Sequence, residues 1–99
     1  MNIRESDIHN HLKVRMLQRG ITFEEIKRTI NDGWNTTEVR IGTQGRTLVF
    51  PYHAEWEGKR YKEKEVTVYY KIKDGKIILL TAVARYGKDF NKGGKTNEN

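Results

Sequence analysis

Cysteine is absent from this 99-residue chain, which removes disulfides, thiolate nucleophiles and thiolate metal ligands together. Serine occurs once, at Ser6, where it reads as a helix cap, so a serine nucleophile is not expected. The single proline is Pro51. No apolar run is long enough to span a bilayer, and the polar N-terminal stretch does not read as a secretory leader. No glycine-rich loop precedes a helix, because Gly93-Gly94 falls in a polar tail. His9 and His11 are two apart and face different sides of a helix, so they do not form an i,i+4 ligand pair. Metal chemistry therefore fits less well than acid–base chemistry, and neither a metal nor a cofactor is expected. Hydrophobic residues make up only 35%, enough for one small core and a single domain over residues 1–91, followed by a disordered polar tail over 92–99.

What the chain does have is positive charge. Nineteen Lys and Arg against thirteen Asp and Glu leave a net charge of +6. With a pI near 9.7 and 10% aromatics, this is the composition of a domain that meets nucleic acid or another polyanion.

The organising stretch is His11 to Thr22, the end of one helix, a glycine stop and the start of another. With His11 at zero on a helical wheel, Arg15 lies at about 40° and Arg19 at about 80°. The apolar stripe Ile8, Leu12 and Met16 lies at about 60°, 100° and 140°. An imidazole and two guanidiniums thus border the face expected to be buried, where they need partners. One arginine can snorkel, but three such groups in a row point to an anion site at a helix–sheet boundary.

In chain order, Ser6 caps a helix expected from about Asp7 to Arg19, with Gly20 as its left-handed stop. Thr22 and Glu25 form a capping box for a second helix carrying Phe23, Ile26 and Ile30 and ending at Asn31-Asp32-Gly33. Period-2 patterning then predicts strands over Thr36–Ile41 and Arg46–Tyr52. Residues 53–65, mixed in charge, read as a solvated loop or, alternatively, a strand extension, with Trp56 and Tyr61 to anchor it or to contact a partner. Val66–Ile72 and Ile77–Ala84 flank Asp74-Gly75, the strongest short hairpin signal. An ideal register pairs Ile72 with Ile77, Tyr70 with Leu79, Val68 with Thr81 and Val66 with Val83, which puts Thr81 on the helix-facing side. The opposite face, with Tyr69, Ile78 and Leu80, is too apolar to be left uncovered. The expected fold is α+β, two N-terminal helices on one face of a roughly four-stranded antiparallel sheet.

His11-x3-Arg15-x3-Arg19-Gly20-Ile21-Thr22, with a late strand bearing Leu79-Leu80-Thr81-Ala82, resembles a bacterial domain family of unknown function. Members open on a His-x3-Arg-x3-Arg-Gly-Ile helix and close on a strand with a threonine. That family is similar in fold to the barnase–EndoU–colicin–RelE class of ribonuclease-like toxins. The resemblance spans roughly residues 6–86 and departs at Val83, where members often carry an aromatic. It implies a small toxin-like ribonuclease that acts on RNA in the cytoplasm and has a cognate antitoxin or immunity protein. Delivery as part of a larger secreted toxin is the other arrangement the resemblance allows.

Cleaving RNA without a metal needs a base, an acid and cations for the developing phosphorane. His11 has the side-chain chemistry of a proton carrier, and the forks of Arg15 and Arg19 suit phosphate oxygens. Thr81 could orient His11 or donate to phosphate, and equally could be a satisfied core hydroxyl. Arg46, Tyr70, Arg85 and Tyr86, at strand ends, complete the candidate RNA-binding set. Two other readings use the same residues: a nucleic-acid-binding module without turnover, and a protein-interaction domain in which a buried His/Arg/Thr network only specifies packing.

Overall fold

Local hydrogen bonds decide where the first helix starts. The Asp7 carboxylate takes the Arg4 backbone N–H at 2.8 Å, which closes Glu5–Asp7 into a single 3₁₀ turn. Such a side-chain bond competes with a continuous helix. The helix α1 (Asn10–Arg19) therefore begins three residues later than expected, with His9 rather than Ser6 as its cap. It ends as expected at Gly20, whose φ of 71° lets the Ile21 N–H reach back to the Met16 carbonyl at 2.9 Å. Helix α2 (Phe23–Asp32) has the expected capping box: Glu25 N–H donates to Thr22 Oγ1 (3.1 Å) and Thr22 N–H to Glu25 Oε1 (2.9 Å). The computed structural model describes residues 2–37 and 39–93.

Both helices pack on one face of a four-stranded antiparallel sheet of order β1-β2-β3-β4, an α+β arrangement as the sequence predicts. The strands are β1 (Trp34–Asn35), β2 (Gln44–Trp56), β3 (Lys59–Lys73) and β4 (Lys76–Gly87). Among the described residues no helix is long and apolar enough to cross a membrane.

Two expected segments differ. Among the described residues of Thr36–Ile41 the expected strand does not form; β1 is the two residues before it, and Ile41 is fully exposed. Residues 53–65 form the strand extension rather than the solvated loop. They are the distal half of a long β2–β3 hairpin closed by Glu57-Gly58, both at positive φ (51° and 85°), as a type I′ turn requires. Asp74-Gly75 closes β3–β4 in the same way (52° and 75°), as predicted. β1 covers β2 only at Arg46 and Thr47, so Pro51 sits where β2 has a free edge, next to a bulge that holds His53 at φ 47°.

The core joins Ile8, Leu12, Ile21, Ile26 and Ile30 to Phe50, Val66, Val68, Tyr70, Leu79 and Ala82 from the sheet. On the opposite face, the segment after β1 folds back over the strands, and a Cβ at Gly45 would lie 2.9 Å from Thr36 and 3.2 Å from Val39. Hydroxyls of Thr36, Thr47 and Thr67 form a chain beneath it at 2.7 and 2.9 Å. That covers part of the face whose apolar character predicts a cover. Past β4, the Glu63 carboxylate accepts the Phe90 N–H (2.9 Å) and pairs with Lys92 (2.6 Å), so Lys92 is held although the sequence assigns it to the tail. Residues 94–99, the rest of that expected tail, lie outside the described residues.

Candidate nucleic-acid interface

The register of β4 places Thr81 on the other face from the one expected. Ile72–Ile77 and Tyr70–Leu79 pair as predicted, but a bulge at Leu80 then shifts the ladder to Tyr69–Thr81, Val68–Ala82 and Val66–Ala84. One extra residue reverses the alternation beyond it. Thr81 therefore lies on the face away from the helices, across from Tyr69, and lines a shallow pocket of ≈ 400 Å³ with Val39, Arg40, Thr43 and Leu80. The buried positions beneath the helices are Leu79 and Ala82.

Helix α1 is fixed to β4 by two side-chain bonds that a backbone carbonyl accepts. Nε2 of His9 donates to the Leu79 carbonyl (3.1 Å), while its Nδ1 accepts the Leu12 N–H (3.3 Å). Those two roles specify the neutral, Nε2-protonated tautomer. Arg19 Nη1 donates to the Ala82 carbonyl at 2.7 Å. Since β4 is an edge strand, these bonds also supply donors to a strand with no neighbour on that side among the described residues. Arg19 is thus brought to the sheet, as the wheel requires, but as a strut.

His11 and Arg15 lie between the two anchors on α1, as Leu80 and Thr81 do on β4. His11 is exposed, its ring parallel to that of His9 within 13° at 6.3 Å. Arg15 is half-buried and, among the described residues, bonds only to Gln18 Oε1 (3.1 Å), one turn along. They are less buried than the wheel implies, because the buried arc of α1 narrows to Leu12. Spaced four apart on a helix, the two are surface neighbours. α1 itself carries Lys13, Arg15 and Arg19 and no carboxylate.

The other candidates do not converge on this edge. Tyr70 is 3% exposed and part of the core. Arg46 donates to the Gly33 carbonyl (2.8 Å), holding the end of α2, and its Nε is buried without a partner among the described residues. Arg85 is on the far face, paired with Glu65 at 2.8 Å and lying over Phe90.

Tyr86 belongs to a junction that the sequence reading missed. Its hydroxyl donates to the Arg19 carbonyl at 2.6 Å, and its ring stacks on Trp56 (5.1 Å, 12°) and meets Tyr52 and Tyr61. Lys64, 2% exposed, donates to the Gly20 carbonyl and pairs with Glu25 Oε1 at 2.8 Å. Its ammonium lies over the rings of Tyr52 (5.4 Å) and Tyr86 (5.5 Å). A Cβ at residue 20 would come within 2.5 Å of Trp56, so glycine is needed there for space as well as for φ. The turn between the helices is clamped to the sheet at this point.

Burial, then the charges of Tyr52, Glu25 and Glu57, push the Tyr86 hydroxyl well above its ordinary value of 10.0. Folding favours the protonated phenol, so its stabilising contribution is complete below pH 10.0 and is lost as the pH rises further. Urea unfolding at a series of alkaline pH values should show stability falling above that point, and falling less steeply in Tyr86→Phe.

No family model, no curated protein and no solved structure matches this chain.

Proposed function

We propose that this is a small RNA-binding domain of the ribonuclease-toxin kind, engaging the RNA backbone along the α1–β4 edge and cleaving it without a metal. The observation that supports this reading is the pair His11 and Arg15, set on α1 between two anchors and, among the described residues, without a carboxylate partner. A guanidinium that no carboxylate neutralises is available to a phosphate, and its planar fork fits two phosphate oxygens. His11 beside it has the chemistry to take the 2′-hydroxyl proton. Arg19 enters as a positioning residue through the Ala82 carbonyl, and Thr81, on the other face, is left out of the site. The net charge of +6 supports a polyanionic partner. The purified chain incubated with total RNA in EDTA should give discrete fragments at the rate seen without chelator. Cleavage that stops with EDTA would contradict the metal-independent mechanism, and RNA that stays intact in both would contradict turnover.

A further inference from the structure

The β2–β3 hairpin outruns β4. β3 pairs with β4 only from Glu63 to Lys73, while its pairing with β2 continues out to Lys59. The chain leaves the sheet after Gly87, and the Glu63 carboxylate holds that departure through Phe90 N–H and Lys92 Nζ. Lys59 to Lys62 therefore have no strand on the β4 side among the described residues. The corner so formed is a shallow pocket of ≈ 300 Å³ lined by Lys59, Arg60, Tyr61, Lys62, Gly87 and Lys88. Four of these six residues are cations and none is a carboxylate. Arg60 donates to the His53 carbonyl, and the Lys59 ammonium lies over the Tyr61 ring at 5.8 Å; among the described residues none of the four has an ion-pair partner.

We propose that this corner takes an acidic, extended segment of a partner protein, which adds to the free edge of β3 at Lys59–Lys62 as a further strand. An open strand edge presents alternating N–H and C=O groups, which another polypeptide strand satisfies and a nucleic-acid backbone does not. A second copy of this chain would set cations against cations, so the lysines disfavour self-pairing. Alternating carboxylates on the incoming strand would instead meet unpaired ammonium and guanidinium groups. The corner is distinct from the His11–Arg15 site, since β4 runs six residues from Thr81 to its end at Gly87, roughly 20 Å of strand. The inference does not depend on the RNA reading.

The test uses the full chain and a short fluorescent peptide alternating glutamate with valine. Three comparison probes go with it: the lysine-for-glutamate peptide, the acidic peptide N-methylated at alternate residues, and a short single-stranded RNA. The acidic peptide should bind saturably, and the amides of residues 59–62 should gain protection from hydrogen exchange. N-methylation keeps the charge and removes the ladder, so it should weaken binding about tenfold or more, as should Lys59→Glu with Lys62→Glu. Equal binding of the methylated and unmethylated peptides would overturn strand addition. Protection of residues 59–62 by RNA but not by the acidic peptide would assign the corner to nucleic acid and overturn the proposal, as would no binding of the peptide at all.

Discussion

Lys64→Ala should destabilise the protein by about 3–5 kcal/mol, the usual loss when one partner of a buried ion pair is removed. Against a typical total of about 5–15 kcal/mol for a small domain, that is a large share. The lysine is 2% exposed, and its ammonium is the donor to the Gly20 carbonyl and the partner of Glu25, itself only 17% exposed at the side chain. Truncation leaves the carboxylate without its cation and opens a cavity among Tyr52, Tyr86 and the Gly20 turn. Urea unfolding gives the loss directly. Adding Glu25→Ala to Lys64→Ala should cost less than the sum of the single changes, because the first change has already removed the pair. A Lys64→Ala protein within about 0.5 kcal/mol of the parent, the range of an ordinary surface change, would show that the clamp contributes nothing.

His11→Ala should lower RNA cleavage by roughly 10² to 10⁴, the range for a general acid or base. It should leave the fold intact, because His11 is exposed and the capping role belongs to His9. Thermal unfolding measured beside the cleavage assay separates the two effects. Products ending in 2′,3′-cyclic phosphate would match proton removal from the 2′-hydroxyl. Full activity in folded His11→Ala would remove His11 from the mechanism. Tyr70, in the core, and Tyr86, which donates to the Arg19 carbonyl, are poorly placed to take its part.

The helices and the main hairpin were legible because their signals are local. Gly20 needs a left-handed stop, Thr22 and Glu25 cap each other, and Asp74-Gly75 suits a type I′ turn. The misreadings come from choices that only packing settles. Ser6 outranks His9 as a cap by intrinsic preference, but the His9 ring makes a second bond to Leu79 seventy residues away. The Leu80 bulge had a trace in sequence: Thr81 and Arg85 share one face of β4, and Ala82 and Ala84 the other, where α1 comes close. The ideal register overrode that trace. Lys64 had one too, since Lys64, Val66, Val68 and Tyr70 continue a single period-2 face into the charged run. A lysine on the buried face reads as solvated until the Gly20 carbonyl and Glu25 are seen to converge on it.

Salt dependence of RNA binding by the parent and by Arg15→Ala tests the proposed α1–β4 interface most directly. Each phosphate contact contributes close to one unit to the slope of log K against log salt. Arg15→Ala should weaken binding to all RNA sequences alike and reduce that slope by about one, while Arg85→Ala, on the opposite face, leaves both unchanged. Binding that is indifferent to Arg15→Ala, with the slope lost in Arg85→Ala instead, would contradict the assignment of the interface to the α1–β4 edge.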